Sequence, residues 1–295
     1  MPEPLIRRTM LITPGNREDR MAKAANYPVD AVVFDLEDSV PPEQKSRARD
    51  CVAAALDALS GNPREICVRI NAPDTAHGMA DLRTLPFDKL DSLMIPKVES
   101  AATLTGLEDQ LRAMNVSMGR SRPIDWIVML ETPRGILNAL SIADASARTS
   151  ALFFGSGDYT SAMGAVINDC TLQYPRSVVA AAAAACGLQA IDAAYFLQVK
   201  DAEATRQDAL VARQFGFAGK VIFHPNQIDV VNQVFSPTEA EIRSAEQLIA
   251  AYAASQATGL GTAVSDGMFV AVDLIAPAQR ILNRAALIKT KDRAT

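Results

Sequence analysis

The chain has 295 residues, of which 49% are hydrophobic and 21% are charged, a composition that excludes a disordered chain and a fibre. Its 29 basic and 34 acidic residues give a net charge of −5 at pH 7, which argues against a general binder of nucleic acid or of acidic membranes. The length suits two domains or one α/β barrel of about 250 residues.

The cysteines and the apolar runs indicate the compartment. Cys51, Cys67, Cys170 and Cys186 form no CxxC pair, so we expect reduced thiols. The opening sequence MPEPLIRRTMLITPGN lacks the long apolar run of a secretory signal, and the apolar stretch 178–186 is too short to cross a bilayer. These features predict a cytoplasmic protein.

Short apolar runs alternate with longer stretches of helical spacing over most of the chain. The runs predict eight strands, at residues 9–13, 31–34, 66–70, 92–95, 126–130, 151–154, 189–191 and 220–223. Continuous apolar runs of this length are typical of strands that are buried on both faces, as in a parallel sheet.

Helices are predicted between these strands, at residues 42–59, 100–114, 133–147, 175–185 and 201–215. The first of them begins with Pro-Pro-Glu, a favourable first turn. About eight strand–helix units in roughly 235 residues indicate a (β/α)8 barrel. A doubly wound open sheet is the alternative, although no GxGxxG or Walker pattern follows any of the strands.

The residues after 235 depart from this alternation. Ser236-Pro237-Thr238-Glu239 opens a predicted helix to about residue 255, a loop follows at 259–267, and a final helix is predicted at 274–288. Two helices are too small for a core of their own. We therefore interpret residues 1–235 as a catalytic barrel and residues 236–295 as a C-terminal helical arm that serves as a lid and in oligomer formation.

Polar residues follow nearly every predicted strand, at the end of a barrel where active sites are built. Glu131 and Asp158 follow neighbouring strands, and two facing carboxylates suit Mg²⁺, which takes few protein carboxylates. The alternative is that each caps the helix after it. Zinc is disfavoured, because His77 and His224 lie far apart in the sequence and the cysteines do not cluster.

Arg69 is predicted to point into the same mouth of the barrel. An arginine there can clamp a carboxylate or stabilise an enolate oxygen. The alternative is a structural salt bridge to Asp35, Glu37 or Asp38. His224 stands before a proline after a buried strand, and this position favours a packed, hydrogen-bonded residue over a base.

Seven motifs occur in order along the chain: RRTMLITPGN, VVFDLEDSVPPEQKSRAR, VRIN, IPKVES, ETPRGILNA, FGSGDYT and GKVIFHPNQI. Together they resemble the citrate lyase beta-subunit-like group of the HpcH/HpaI aldolase superfamily, with its malyl-CoA, citramalyl-CoA and β-methylmalyl-CoA lyases. The resemblance covers residues 8–235. It implies a (β/α)8 barrel, a homotrimer or hexamer, and Mg²⁺ (or Mn²⁺) bound by Glu131 and Asp158.

The resemblance also implies the reaction and further site residues. It implies cleavage of a 3-hydroxyacyl-CoA thioester to a 2-oxo acid and a short acyl-CoA, with Arg69 on the substrate and Glu37 and Asp38 in the same pocket. Residues implied to contact the substrate or its CoA are Arg17, Lys23, Gly157, Phe223 and His224. An aldolase, a thioesterase, a beta subunit of a citrate lyase complex and a non-catalytic scaffold are the alternatives.

One segment departs from the family pattern. Lyases of this group carry DGxMxDxP in the C-terminal arm, and its aspartate reaches a neighbouring subunit's active site as acid or base. Residues 266–273 here read DGMFVAVD, so Ala271 stands at the aspartate position and Asp273 at the proline position. Either Asp273 acts with a two-residue shift, or the usual acid or base is absent.

Overall fold

The computed structural model describes residues 5–114, 124–194, 197–257, 263–265 and 268–294. The contacts divide the chain into two units, Met1–Asn232 and Gln233–Thr295. Among the residues described, no helix is long and apolar enough to cross a membrane.

Eight parallel strands of the first unit close into a barrel in chain order, with the first strand paired to both the second and the eighth. They are β1 (Thr9–Pro14), β2 (Ala31–Asp35), β3 (Glu65–Arg69), β4 (Ser92–Ile95), β5 (Asp125–Leu130), β6 (Thr149–Phe154), β7 (Gln189–Ala193) and β8 (Gly219–Ile222). The predicted (β/α)8 barrel is confirmed, and the open sheet considered as its alternative is wrong.

Helices follow the strands around the outside of the barrel. They are α1 (Glu18–Ala24), α2 (Lys45–Ala58), α3 (Ala76–Thr84), α4 (Ala101–Ala113), α5 (Pro133–Leu137), α6 (Ala139–Ala143), α7 (Ser156–Met163), α8 (Asp169–Ala185), α9 (Ala202–Gln214) and α10 (Ile228–Phe235). The predicted helix at 133–147 is two short helices, because the backbone at Asn138 leaves the helical conformation between them.

The start predicted for α8 at residue 175 is also wrong. Asn168 caps this helix, since its side chain accepts a hydrogen bond from the backbone N–H of Thr171 at 3.0 Å and the Thr171 hydroxyl accepts one from the backbone N–H of Asn168 at 3.2 Å. This capping box places the start six residues upstream of the prediction. Pro175 lies within the helix, where it forgoes one backbone hydrogen bond.

The barrel interior is filled by side chains from alternate strand positions. The buried interior residues are Met10, Ala31, Val33, Cys67, Met94, Ile127, Met129, Ala151, Phe153, Ile191, Ala193 and Val221. Because successive strand residues face opposite sides, the next inward positions toward the carboxyl end are Asp35, Arg69, Glu131 and Gly155. The alternation that builds the core therefore also delivers three charged side chains and a glycine to one mouth of the barrel.

The opposite end of the barrel is closed by the buried guanidinium of Arg7. Its Nε and Nη2 atoms donate to the Glu65 carboxylate at 2.8 Å, its Nη1 donates to Ser150 Oγ at 2.9 Å, and its Nη2 lies 3.2 Å from Asp125 Oδ2. All three partners lie at or near the amino ends of their strands. A buried charge with these partners is satisfied, and this end is structural.

The second unit contains α11 (Glu239–Ala257), β9 (Ala263–Ser265), β10 (Met268–Val270) and α12 (Val272–Ala294). The helices α11 and α12 pack against each other, and β9 and β10 form an antiparallel hairpin. The predicted loop at 259–267 is wrong at 263–265, because these residues pair with β10; residues 259–262 and 266–267 lie outside the described residues. The predicted final helix, 274–288, begins two residues earlier and ends six later.

Candidate active site

A cavity of about 440 Å³ opens at the carboxyl mouth of the barrel. Its charged lining comes from β2 through β6 and their loops, as Asp38, Arg69, Glu131 and Asp158. Its apolar lining includes residues of β1, β5, β6, β7 and β8: Ile12, Met129, Phe153, Ala193 and Val221. The cavity is therefore charged on one side and apolar on the other, and its three carboxylates against one guanidinium make the charged side suited to a cation.

Glu131 and Asp158 both line this cavity, as expected from their places after neighbouring strands. Glu131 is buried, whereas Asp158 is exposed in the first turn of α7. Burial raises the pKa of Glu131 to about 8, and the nearby carboxylates of Glu37 and Asp158 add to the rise. A cation between Glu131 and Asp158 would relieve this repulsion.

The helix-capping alternative does not describe Glu131. The residue that caps α5 is Thr132, whose hydroxyl accepts a hydrogen bond from the backbone N–H of Gly135 at 3.0 Å. Oε1 of Glu131 instead accepts a hydrogen bond from the backbone N–H of Lys97 at 2.8 Å. The Glu131 carboxylate is thus held at the mouth of the barrel by the neighbouring strand β4 and its loop.

Gly155 provides the space that Glu131 occupies. A Cβ atom on Gly155 would lie 2.6 Å from Glu131 Cβ and 2.8 Å from Glu131 Oε2, closer than real Cβ contacts allow. Oε2 therefore faces Gly155, which begins the turn that leads into α7 and Asp158. A larger residue at 155 would displace the carboxylate.

The donor set of this mouth fits Mg²⁺. The described residues contain no cluster of three or more His, Cys, Asp or Glu side chains of the kind that builds an all-protein metal cage. Mg²⁺ does not need one, because it is usually held by one or two carboxylates, with water and substrate oxygens in its other positions. Glu131 and Asp158 supply such a pair of hard oxygen ligands.

Arg69 makes the salt bridge that was considered as its alternative role, and it also lines the cavity. Its Nε and Nη2 atoms donate to the two oxygens of Asp35, both at 2.7 Å, and its Nη1 lies 3.2 Å from Glu37 Oε2. Burial lowers the pKa of Arg69, but the hydrogen bonds and charge of Asp35 outweigh it, and the pKa is raised overall. Arg69 is therefore a fixed cation beside the carboxylate pair.

Glu37 lies between two cations behind the cavity wall. Its carboxylate is 3.2 Å from Arg69 Nη1 and 2.9 Å from Lys97 Nζ, which also lies 3.4 Å from Asp38 Oδ1. Burial raises the pKa of Glu37 even though both cations oppose the rise. Arg69 and Lys97 thus pair with the three carboxylates of residues 35–38, as the charge of this segment required, and one net negative charge is left among the five groups.

A second cavity, of about 330 Å³, lies beside β1, α1 and the turn after β8. Three of the predicted CoA contacts line it, namely Lys23, Phe223 and His224, and Arg20 adds a further positive charge. Arg17 is not among the described lining residues; it is exposed and forms an ion pair with Asp19 at 3.0 Å. Sequence analysis missed Arg20, which lies one helical turn beyond Arg17.

Phe223 and His224 differ in the cavities that they line and in their hydrogen bonding. Phe223 lines both cavities, and Gly157 lines the larger one. His224 accepts a hydrogen bond at Nδ1 from the backbone N–H of Asn226 at 3.1 Å and so caps the turn after β8. A neutral ring in this arrangement carries its proton on Nε2. His224 is a hydrogen-bonded capping residue, as the sequence favoured.

A model of the family described as HpcH/HpaI aldolase/citrate lyase matches residues 8–225. The chain belongs to this family. The predicted resemblance is thus confirmed, and the chain is an enzyme of the carbon–carbon lyase class.

Similar proteins within the family carry several activities in their names. The chain is 34% identical to the mitochondrial citramalyl-CoA lyase of Rattus norvegicus, over 97% of this chain and 88% of the relative. It is 34% identical to citrate lyase subunit beta of Leuconostoc mesenteroides subsp. cremoris, over 95% and 93%, and 35% identical to a (3S)-malyl-CoA thioesterase of Cereibacter sphaeroides, over 95% of both.

Solved structures share the fold. The protein CitE of Mycobacterium tuberculosis, in complex with magnesium, acetoacetate and coenzyme A, superposes with a TM-score of 0.75 at 30% identity, covering 94% of this chain and 97% of that one. RipC of Yersinia pestis superposes with a TM-score of 0.67 at 32% identity, covering 82% of this chain and all of its own.

One residue within the motifs of this chain, Lys45, has a role that sequence analysis missed. Lys45, in DLEDSVPPEQKSRAR, is buried, and its Nζ donates to the carbonyls of Leu36 and Glu37 and to Asn71 Oδ1, at 2.7–2.8 Å. In the sequence Lys45 looks like an ordinary exposed lysine of a helical first turn. Its ammonium instead holds the backbone of the acidic segment after β2.

The family's C-terminal aspartate has no counterpart at Ala271, which precedes α12. Asp273 is exposed in the first turn of α12, in the second unit of the chain. Its role in a site shared between subunits stays a prediction.

Proposed function

We propose that this protein is a Mg²⁺-dependent lyase that cleaves a 3-hydroxyacyl-CoA thioester of the malyl-, citramalyl- or citryl-CoA type to a 2-oxo acid and a short acyl-CoA. The observation that carries the proposal is the cavity at the barrel mouth, where Glu131, Asp158 and Arg69 face an apolar wall. The names of the relatives and the magnesium and coenzyme A of the CitE complex support it.

The proposed chemistry begins at the acid end of the substrate. Glu131 and Asp158 would hold Mg²⁺, which supplies Lewis acidity to the oxygens of that end when it is bound. The hydroxyl proton leaves, the C–O bond becomes a carbonyl, and the adjacent C–C bond breaks toward the thioester. Its electron pair forms the enolate of the acyl-CoA, which then takes up a proton.

Arg69 would stabilise the negative charge that develops during this cleavage. Its guanidinium is held in place by Asp35 before substrate arrives, and a preorganised charge is most effective in a site that excludes water. We propose Asp273 of a neighbouring subunit as the group that moves the proton, with Asp38 lining the same pocket and Glu37 behind its wall. Glu37 is the alternative, because burial raises its pKa.

The second cavity would receive the CoA part of the substrate. Lys23 and Arg20 supply positive charge for phosphate groups in an otherwise acidic protein. Phe223 lines both cavities and would lie where the acyl arm passes from one to the other, with Gly157 on the substrate side. We further propose a cytoplasmic homotrimer or hexamer with no nucleic-acid or membrane partner.

A thioesterase is the second candidate function. The observation that favours it is Ala271, because an enzyme that lacks the family aspartate has lost its usual acid or base for C–C cleavage. A relative at 35% identity is named a (3S)-malyl-CoA thioesterase. In this alternative the same cavity binds the acid, water attacks the thioester carbonyl, and the C–S bond breaks to release the free acid and CoA, whose sulfur takes up the proton that the water loses.

Assays with malyl-CoA, citramalyl-CoA and citryl-CoA in the presence of Mg²⁺ separate the two functions. The 2-oxo acid and free CoA are measured independently in each reaction. We expect the 2-oxo acid to form together with an intact acyl-CoA. Neither product should form when EDTA has removed the metal. Free CoA without 2-oxo acid would establish the thioesterase, and neither product from any substrate would contradict both functions.

The variants Glu131→Gln and Asp158→Asn test whether these two residues are the Mg²⁺ ligands. Each change keeps the size of the side chain and removes one charged ligand, so the affinity for Mg²⁺ should fall and turnover should drop about 10²-fold or more. Mn²⁺ titration followed by electron paramagnetic resonance gives the affinity, and circular dichroism checks the fold. Normal metal-dependent turnover in both variants would show that the ligands are assigned wrongly.

A further inference from the structure

Lys97 has an unusual backbone conformation for a lysine. Its φ is 54°, and it is the only residue other than glycine with a positive φ in the part of the chain that the structure describes. The left-handed conformation costs free energy for a residue with a Cβ atom, and such residues persist only where the surrounding structure holds them. Lys97 follows β4 and Pro96, and its backbone contacts Glu131, one of the two proposed metal ligands.

Two hydrogen bonds to the next strand account for this conformation. The backbone N–H of Lys97 donates to Glu131 Oε1 at 2.8 Å, and the N–H of Val98 donates to the carbonyl of Met129 at 3.4 Å. The backbone angles of Lys97, of which φ is the unusual one, set the direction of the second N–H relative to the first. With this positive φ, both N–H groups reach acceptors, one on Glu131 and the other on β5.

The hydrogen bond from Lys97 also gives the two carboxylate oxygens of Glu131 different surroundings. Oε1 is engaged by the Lys97 N–H, whereas Oε2 lies on the side of Gly155, toward the turn that carries Asp158. The side chain of Lys97 acts on other residues, since its Nζ lies 2.9 Å from Glu37 Oε1 and 3.4 Å from Asp38 Oδ1. The backbone and the ammonium of Lys97 therefore contact different carboxylates.

We propose that Lys97 is a positioning residue whose left-handed backbone fixes the Glu131 carboxylate so that Oε2 is the oxygen presented to the divalent cation. The backbone does this independently of the ammonium, which restrains Glu37. This inference rests on the proposed Mg²⁺ site at Glu131 and Asp158. It adds a residue that acts through Glu131 and sets which oxygen of Glu131 can bind.

Substitutions that separate backbone from side chain test the proposal on the full chain. Lys97→Gly and Lys97→Asn remove the ammonium but tolerate a positive φ, whereas Lys97→Val removes it and strongly disfavours that φ. Mn²⁺ affinity is measured by electron paramagnetic resonance, without substrate. We expect the Gly and Asn variants to stay within about threefold of the parent and the Val variant to bind roughly tenfold more weakly or worse.

The controls separate failure of the proposed metal site from failure of the proposed role of Lys97. The parent chain and Glu131→Gln are titrated first, and equal Mn²⁺ affinity in the two would overturn the metal site together with the role of Lys97. If the site stands, parent-like affinity in Lys97→Val would overturn the backbone role. Equal losses in Gly, Asn and Val would assign the effect to the ammonium and also overturn it. Lys97→Thr, β-branched but polar, replaces Val if circular dichroism shows that Val does not fold.

Discussion

Arg69 shows how much of the proposed chemistry depends on the geometry of one side chain. Its planar fork binds both oxygens of Asp35 at 2.7 Å and still reaches Glu37 at 3.2 Å with the remaining nitrogen. A lysine carries the same charge as a single point and cannot make this set of contacts. The function of Arg69 should therefore be sensitive to shape as well as to charge.

The change Arg69→Lys tests this dependence. We expect kcat/KM for the CoA thioester to fall about 10²-fold, because a preorganised charge beside the reacting atoms is displaced, while Mn²⁺ affinity changes little. Steady-state kinetics and the Mn²⁺ titration are run on the same preparation. An unchanged kcat/KM would reduce Arg69 to a partner that balances the charge of Asp35.

At the scale of residues, the sequence predicts which charged side chains face into the barrel, but it does not predict the backbone conformation of Lys97. Arg69 and Glu131 continue the period-two alternation of their strands, so their direction follows from the pattern of apolar residues before them. The left-handed turn at Lys97 has no such signal, since IPKVES contains no glycine there. That conformation is imposed by hydrogen bonds to β5, a neighbouring strand about 30 residues further along the chain.

At the scale of elements, the segment after β2 is held from outside the active site. Lys45 on α2 binds the carbonyls of Leu36 and Glu37, and Asn71 after β3 donates to the Leu36 carbonyl at 2.9 Å. Asn71 is in turn bonded at 2.7 Å to the buried Asp81 of α3. Three elements thus meet at a polar cluster that sets where Glu37 and Asp38 lie.

Replacing Lys45 by Met should affect both stability and turnover. The ammonium of Lys45 would be lost from three buried acceptors; the carbonyls of Leu36 and Glu37 keep hydrogen bonds from Asn71 and Val40, whereas Asn71 Oδ1 loses the donor that Lys45 provides. We expect a cost of about 1–3 kcal/mol of unfolding free energy, and the displaced Glu37 and Asp38 should lower kcat more than they change Mn²⁺ affinity. Urea unfolding and steady-state kinetics measure the two effects. The matched control is Lys89→Met, which removes a surface ion pair with Asp57 and should change neither. Loss of stability with normal kcat would make Lys45 purely structural.

The strands and helices that contain the most buried apolar residues are the ones that the sequence predicts best. All eight barrel strands are long enough in buried residues to be found, including the short β7. The eight strand–helix units are predicted without bounds for the short helices α1, α3, α7 and α10, because a helix of seven to nine residues shows hardly two turns of periodicity. For α8, a proline is a favourable first residue of a helix and predicts a start at Pro175, whereas the capping box at Asn168 sets the actual start.

At the scale of the whole molecule, the chain consists of a barrel that carries the proposed metal ligands and Arg69, and a second unit of two helices and a hairpin. The first follows from the sequence almost completely, because strand alternation and the strand-end rule generate both core and site. The function of the second does not, because Asp273 is proposed to work on another copy of the chain. A property of an assembly leaves no periodic pattern in one sequence.

The oligomer and the role of Asp273 can be tested together. We expect light scattering to give the mass of a trimer or hexamer, and Asp273→Asn to lose turnover by about 10²-fold or more while it keeps CoA affinity, since a proton-transfer group contributes on that order. Glu131→Gln should also be inactive, for the different reason that its metal site is damaged. Each variant alone thus lacks one half of the proposed shared site.

Mixed oligomers of these two variants decide whether the site is shared. When Asp273→Asn and Glu131→Gln chains are unfolded, combined and refolded together, some sites join an intact metal pair from one chain with an intact Asp273 from another. Activity should return in the mixture, up to a fraction set by random assembly, while each variant refolded alone stays inactive. No recovery from oligomers of correct mass would place Asp273 in its own subunit's site. Full activity of Asp273→Asn by itself would show instead that the proton is handled elsewhere, with Glu37, between Arg69 and Lys97, as the residue to test next.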